Sequence, residues 1–129
     1  MNKHPISTYM TKCPHCIEPT QSLKQAERRM KEYHVKHLPV RSAAKIVGIL
    51  SERDLNFSLR FLDDESPVSE VMISDPYCTE AGTPISKVAG NMVEKDIGSA
   101  IITNEANEVV GIFTQVDALK AIVTLVSKL

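Results

Sequence analysis

Two hydroxyl–carboxylate pairs recur at the same spacing in this sequence and could bind a small polar ligand. Ser51 is followed three residues later by Asp54, and Thr114 is followed three residues later by Asp117. A glycine and a short apolar run precede each pair, which predicts a buried strand running into a helix. The hydroxyl residue would be the N-cap, and the aspartate would fall in the first helical turn. Such a junction gathers donors and acceptors that suit ligand hydroxyls or phosphates.

These residues also have a purely structural interpretation. Ser and Thr are ordinary N-caps, and an aspartate near a helix N-terminus stabilises the helix by a few tenths to ~1 kcal/mol without any ligand. Arg53 could bind phosphate, because a planar guanidinium matches phosphate oxygens, yet a solvated helix residue is the simpler interpretation of an arginine taken alone. The pairs themselves leave both interpretations open.

The two pairs belong to an internal repeat. Met10 and Met72 are 62 residues apart, and so are Cys16 and Cys78. The offset becomes 63 at the motif glycines, because the second copy has one residue more in the preceding turn. An insertion confined to a turn is what two copies of one folding unit would tolerate. Repeat 1 is predicted over residues 6–62 and repeat 2 over residues 66–129, with a short acidic linker between them.

Each copy is predicted to be a β-α-β-β-α unit, which gives an α/β fold of two three-stranded sheets packed sheet to sheet with pseudo-two-fold symmetry. One copy of about 60 residues would be marginal alone, so the two should share a core. The predicted elements are short strands near 16–17 and 77–79, helices over 22–33 and 84–95, strands over 37–40, 46–50, 100–103 and 109–113, and a closing helix in each copy.

Composition and charge narrow the class of protein. The chain has 129 residues, of which 43% are hydrophobic and 24% charged, as in a globular domain. A net charge of -1 does not favour binding to nucleic acid or to an anionic membrane. No apolar run reaches the ~18 residues of a membrane-spanning helix, and no signal peptide is apparent at the N-terminus. Three cysteines are an odd number and do not indicate a disulfide framework, so a reduced, cytoplasmic protein is expected.

The closing helix of repeat 2 is unusually apolar. It carries more apolar side chains than one contact face needs, which indicates a further partner such as a second subunit. We expect a homodimer that forms through the helices. The apolar residues are Val116, Leu119, Ala121, Ile122, Val123, Leu125 and Val126.

The repeat resembles the cystathionine-β-synthase-type (CBS) domain. Both copies contain Gly-Ile-x-Ser/Thr-x-x-Asp, and the first also has His37, Pro39 and Val40 in the order His-x-Pro-Val. The resemblance extends from about residue 6 to residue 129 and indicates a stand-alone CBS pair, or Bateman module. It implies a non-catalytic regulatory module that binds AMP, ADP, ATP or S-adenosylmethionine and signals to an effector protein.

The resemblance also implies two ligand clefts, each combining the motif of one copy with strands of the other. The aspartate would bind the ribose hydroxyls, and the Ser or Thr would contact ribose or phosphate. The first cleft would comprise Ile49, Ser51, Arg53, Asp54, Tyr77, Cys78, Thr79, Ser99 and Ala100. The second would comprise His15, Cys16, Ile17, Lys36, His37, Pro39, Ile112, Thr114 and Asp117. Val116 replaces the arginine in the second cleft, and the first lacks a basic residue and a proline before its turn, so one cleft could be occupied alone.

Two further interpretations stay open. The clefts could be empty in a structural module that dimerises and binds an effector. Cys13 and Cys16 form a Cys-x-x-Cys that could be a redox centre or a metal site with His15 or His4. However, the motif leads into a predicted strand rather than a helix, and no second cysteine pair completes a tetrahedral metal site.

Overall fold

A computed structural model describes residues 4–129 and confirms the mixed α/β class. In chain order the elements are α1 (Ile6–Tyr9), β1 (Thr11–Lys12), α2 (Leu23–Tyr33), β2 (His37–Ser42), β3 (Lys45–Ser51), α3 (Glu52–Ser58), a 3-10 turn (Val68–Glu70), β4 (Cys78–Glu80), α4 (Ile85–Lys95), β5 (Ser99–Thr103), β6 (Val109–Thr114) and α5 (Gln115–Val126). These elements form two compact units. The central unit is His15–Pro76, and the terminal unit combines Tyr77–Leu129 with the residues up to Pro14.

In the central unit, α2 packs over the hairpin of β2 and β3. Ser22 begins α2 with a capping box, in which its hydroxyl accepts from the Gln25 N–H while the Gln25 side chain accepts from the Ser22 N–H. The helix ends at His34, which adopts the left-handed conformation. Strands β2 and β3 are antiparallel. The buried core residues of the unit are Ile17, Leu23, Ala26, Met30, Leu38, Val40, Leu50, Leu55 and Val68.

In the terminal unit, four strands form one sheet in the order β1-β6-β5-β4. β6 pairs antiparallel with β1 and β5, whereas β4 and β5 are parallel. The buried core lies between this sheet and the helices and comprises Ile6, Val88, Met92, Ala100, Ile102 and Phe113.

The predicted strand count was wrong in both units. The terminal unit has four strands because Thr11 and Lys12 add to the edge of β6. The central unit has two, because the predicted strand at Cys16–Ile17 is reduced to a single bridge between Ile17 and Val40. That bridge keeps the hydrogen bonds of a third strand: Ile17 donates to the Pro39 carbonyl at 3.0 Å and accepts from the Arg41 N–H at 2.9 Å.

Each repeat begins with a lead segment, residues 6–14 in repeat 1 and residues 68–76 in repeat 2. The lead segment packs into the unit that contains the rest of the other repeat. Ile6 is fully buried in the terminal unit, and its N–H donates to the Thr83 carbonyl at 2.7 Å. Val68, its counterpart 62 residues later, is fully buried in the central unit, and its N–H donates to the Gln21 carbonyl at 2.8 Å. The compact units therefore divide the chain after Pro14 and Pro76.

Candidate ligand-binding half-sites

The junction of β3 and α3 carries the first hydroxyl–carboxylate pair. Ser51 is the N-cap of α3, as predicted, and its hydroxyl accepts from the Asp54 N–H at 3.1 Å. This bond uses the backbone of Asp54 and not its carboxylate. Among residues 4–129 no hydrogen-bond donor lies on the half-buried Asp54 carboxylate, and Arg53 beside it is exposed. The carboxylate can accept hydrogen bonds from a ligand, and the guanidinium can donate hydrogen bonds to it, without breaking a contact within the protein.

Strand β2 places His37 and Pro39 beside this junction. His37 is paired with Ser51, and Pro39 with Ile49. The carbonyl of Lys36 accepts from the Glu52 N–H at 2.8 Å, so the start of β2 is tied to the first residue of α3. Burial lowers the pKa of His37 from its usual 6.5, and the nearby Asp54 and Glu52 carboxylates partly oppose that shift. His37 is thus a largely neutral donor or acceptor beside Asp54 at neutral pH.

Cys16 and Ile17 line a polar pocket of about 400 Å³ in the central unit, together with Glu18, Gln21, Arg29 and Arg41. The Arg29 guanidinium donates to the Cys16 carbonyl, and both residues line this pocket. Burial raises the pKa of the Cys16 thiol, which the two arginines oppose only in part. The thiol is therefore mostly protonated at neutral pH and a poor nucleophile. His15 is exposed and stacks on Tyr33, with ring centroids 3.5 Å apart.

The junction of β6 and α5 carries the second pair, and its hydrogen bonds differ from those of the first. Asp117 is buried, with 8% of its surface exposed. Its Oδ2 accepts from the Thr114 N–H at 2.9 Å and from the Thr114 hydroxyl at 3.2 Å, while its Oδ1 accepts from the Thr11 hydroxyl at 3.0 Å. The Ser51 hydroxyl makes no bond to the Asp54 carboxylate, whereas the Thr114 hydroxyl bonds to the carboxylate of Asp117. The second carboxylate is therefore engaged within the protein.

The remaining predicted residues of the terminal unit lie on β4, on β5 and just before β4. Ser99 is paired with Thr114 across β5 and β6, and Ala100 is buried next to it. Cys78 and Thr79 pair with β5 on its other side. The Tyr77 hydroxyl accepts from the Asn91 side chain at 3.0 Å.

Each unit thus assembles its own motif residues with its own strands. The first half-site, in the central unit, combines Ile49, Ser51, Arg53 and Asp54 with Lys36, His37 and Pro39. The second half-site, in the terminal unit, combines Ile112, Thr114 and Asp117 with Ser99 and Ala100. The composition of two clefts from both repeats stays a prediction.

The sequence patterns did not predict a role for Thr11, whose hydroxyl donates to the carboxylate of Asp117, one of the predicted ligand-binding residues. A signal was present: the repeat counterpart of Thr11, 62 residues later, is Ile73. A polar residue in one copy and an apolar one in the other mark a position at which the two copies differ chemically.

The described residues contain neither a metal site nor a membrane span. No group of three His, Cys, Asp or Glu side chains among residues 4–129 could hold a metal ion. Within residues 4–129, Cys13, Cys16 and Cys78 form no disulfide. None of the described helices is both long and apolar enough to cross a bilayer.

Comparison with known proteins identifies the family. The CBS domain family model matches residues 6–60 and again residues 68–124. These two matches cover most of the chain and coincide with the two copies of the internal repeat. The chain belongs to the CBS domain family, and its two copies form a CBS pair.

Three relatives illustrate how far the similarity extends. A crystal structure of a Vibrio cholerae protein assigned to acetoin utilization, AcuB, is 27% identical, with a TM-score of 0.87 over 95% of this chain and 93% of that one. A CBS domain pair solved with 5′-methylthioadenosine and S-adenosylmethionine is 22% identical, with a TM-score of 0.84 over 91% of this chain and 94% of that one. Homoserine O-acetyltransferase of Methanohalobium evestigatum is 30% identical over 102 residues, which are 78% of this chain but 20% of the enzyme. The chain spans less than half the length of this and the next curated relatives it matches.

Proposed function

We propose that this chain is a non-catalytic regulatory module that senses an adenosine-containing ligand, such as AMP, ADP, ATP or S-adenosylmethionine. The observation that carries the proposal is the accessible Asp54 carboxylate beside Ser51 and Arg53, in a chain of the CBS family. A related CBS pair of 22% identity holds two adenosine-containing molecules, 5′-methylthioadenosine and S-adenosylmethionine. That precedent supports the ligand class.

The residues of the first half-site would bind different chemical groups of the ligand. The Asp54 carboxylate accepts hydrogen bonds from both hydroxyls of a ribose, because two oxygens match a vicinal diol. The exposed Arg53 guanidinium binds phosphate when the ligand carries one. Binding favours one conformation of the chain, and that population shift is the signal that an effector protein reads.

The experiment is a thermal-shift screen of the full chain against AMP, ATP and S-adenosylmethionine. A ligand that binds the folded state raises the melting temperature by mass action. We expect a shift for at least one of them, and its loss in Asp54→Asn, which removes the charge but keeps the size of the side chain. Asp75→Asn is the control, because Asp75 is an exposed aspartate of the central unit that lies outside the motif. No shift with any adenosine ligand at millimolar concentration would refute the proposal.

We also propose that the module is a homodimer formed through α5. Five apolar side chains of this helix stand more than half exposed at helical spacing. They are Val116, Leu119, Ile122, Val123 and Val126. A stripe of this length left in water is unusual for a monomer and typical of an interface.

A ligand-free interaction module is the second candidate, and the same α5 stripe favours it. In that case the chain would dimerise and bind its effector equally well with Asp54→Asn and Asp117→Asn combined. A pull-down of the effector that depends on added AMP or S-adenosylmethionine would decide against this candidate.

A further inference from the structure

The two half-sites differ in the hydrogen bonds that their aspartate carboxylates already accept within the protein. Asp117 accepts three hydrogen bonds within the terminal unit, two on Oδ2 from Thr114 and one on Oδ1 from Thr11. An ionised carboxylate offers about four lone-pair positions. Three of them are filled, whereas the two hydroxyls of a ribose would need two. The diol can therefore bind Asp117 only by displacing a donor.

The difference originates in one side chain. Thr11 pairs with Ile112 in the terminal unit, and Ile73 forms the equivalent antiparallel bridge with Ile49 in the central unit. Ile49 and Ile73 exchange N–H to carbonyl bonds of 3.0 and 2.9 Å. At that position Thr11 presents a hydroxyl to the carboxylate of its unit, while Ile73 has only methyl and methylene groups to offer.

From this asymmetry we infer that Thr11 is a specificity-determining residue, which closes the Asp117 half-site to ribose and leaves Asp54 as the acceptor for an adenosine ligand. The inference rests on the function proposed above and deepens it by assigning which half-site works. Thr114 contributes to the same closure, because its hydroxyl donates to Oδ2 at 3.2 Å instead of being available to a ligand. The counterpart hydroxyl of Ser51 accepts from a backbone N–H and leaves Asp54 unoccupied.

The closure predicts a reciprocal exchange. Replacing Thr11 by Val removes the hydroxyl while keeping the branched shape, so Oδ1 of Asp117 becomes available. Replacing Ile73 by Thr supplies a hydroxyl at the position from which Thr11 reaches its carboxylate. Thr11→Val should open the second half-site, and Ile73→Thr should close the first.

Titration calorimetry of the full chain with AMP, and in parallel with S-adenosylmethionine, tests this exchange. We expect one equivalent bound by the wild type, lost in Asp54→Asn and weakened at least tenfold in Ile73→Thr. Thr11→Val should bind a second equivalent, and Thr11→Val combined with Asp117→Asn should lose it again. Thr11→Ser keeps the hydroxyl and is the matched control, which should bind one equivalent. Binding retained in Asp54→Asn but lost in Asp117→Asn would overturn the inference, and so would two equivalents in the wild type.

A measurement without ligand separates this inference from the proposed function. If Thr11 bonds to Asp117, Thr11→Val lowers the melting temperature in the wild type but not in an Asp117→Ala background. The control cycle of Ile73→Val with Asp54→Ala should be additive. If no adenosine ligand binds any variant, the proposed function fails, and the melting cycle still decides whether Thr11 holds the carboxylate. Additive melting shifts for Thr11 and Asp117 would refute the closure.

Discussion

The sulfur of Met72 lies 2.6 Å from the position that a Cβ on Gly48 would occupy. Met10 lies over Gly111 in the same way. The two methionines are repeat counterparts, and so are the two glycines, yet each methionine contacts the glycine of the other copy. The glycine of the motif is therefore explained by packing: only a residue without a side chain leaves room for the lead segment to cross the strand.

We expect Gly48→Ala to destabilise the chain by about 1–3 kcal/mol, because its methyl would collide with Met72 and with the Ile73 carbonyl oxygen, 2.9 Å away. Gly111→Ala should cost less, since only the flexible Met10 side chain stands in its way. Urea denaturation measures both. Gly90→Ala is the control: Gly90 lies within α4 with nothing near its Cβ position, so alanine should stabilise by about 0.5–1 kcal/mol. Equal effects at Gly48 and Gly90 would contradict this account.

We expect that two substitutions in the turn between β2 and β3 would stabilise the chain. Ala43 and Ala44 both have positive φ, at 51° and 71°, in a two-residue turn that favours Asn-Gly. Ala43→Asn combined with Ala44→Gly should therefore stabilise the chain by about 1 kcal/mol. Thermal denaturation measures the gain. The corresponding turn in the terminal unit already has Asn107 at a φ of 62°, so Asn107→Ala should have the opposite sign. A loss of stability on introducing Asn-Gly would rule out relief of backbone strain.

His37 should make stability depend on pH in a defined window. Because its pKa in the folded chain is below its usual 6.5, the unfolded chain binds the proton more readily. Above about pH 6.5 the ring is mostly neutral in both the folded and the unfolded chain, so His37 adds little pH dependence there. The free energy of unfolding should fall as the pH drops from that point through the lowered pKa. Urea denaturation from pH 7.5 to 5 should show a smaller decline in His37→Gln than in the wild type. His34→Asn is the control, because this exposed residue only ends α2. Identical slopes in wild type and His37→Gln would show that other groups cause the decline.

The proposed dimer predicts a matched pair of surface variants. Leu119→Lys combined with Val123→Lys places two charges in the α5 stripe, where the side chains are 63% and 70% exposed, and should convert a dimer to a monomer. Light scattering after size exclusion measures the mass. Val93→Lys is the control, since Val93 is 82% exposed on α4, outside the stripe. A dimer that survives the double change, or a wild type that is already monomeric, would refute an α5 interface.

Local signals predicted much of this structure. The hydroxyl–carboxylate spacing predicted the N-cap at Ser51, and the apolar periodicity predicted α2 and α4 to within a residue of their observed ends. The N-cap and the helix ends depend on residues that are close together in the chain, so local sequence patterns are enough to predict them.

The contacts of Thr11 could not be predicted in this way. Thr11 pairs with Ile112 and bonds to Asp117, both about a hundred residues further along the chain, and a two-residue strand has no periodicity of its own. The same long-range pairing adds the fourth strand of the terminal sheet. A difference between the repeats, threonine against isoleucine, was visible in the sequence, but its chemical meaning needed the position of the carboxylate.

The exchange of lead segments has a consequence for how such a chain could arise. A single ancestral copy would carry a lead segment whose partner core belongs to another copy, so two separate chains would have to trade segments, as in a domain-swapped dimer. Duplication and fusion bring both partners into one polypeptide and turn that trade into an intramolecular one. Residues 15–76 are then a continuous piece with a complete core, whereas the terminal unit would become continuous only by circular permutation, with residues 77–129 placed ahead of the segment that ends at Pro14.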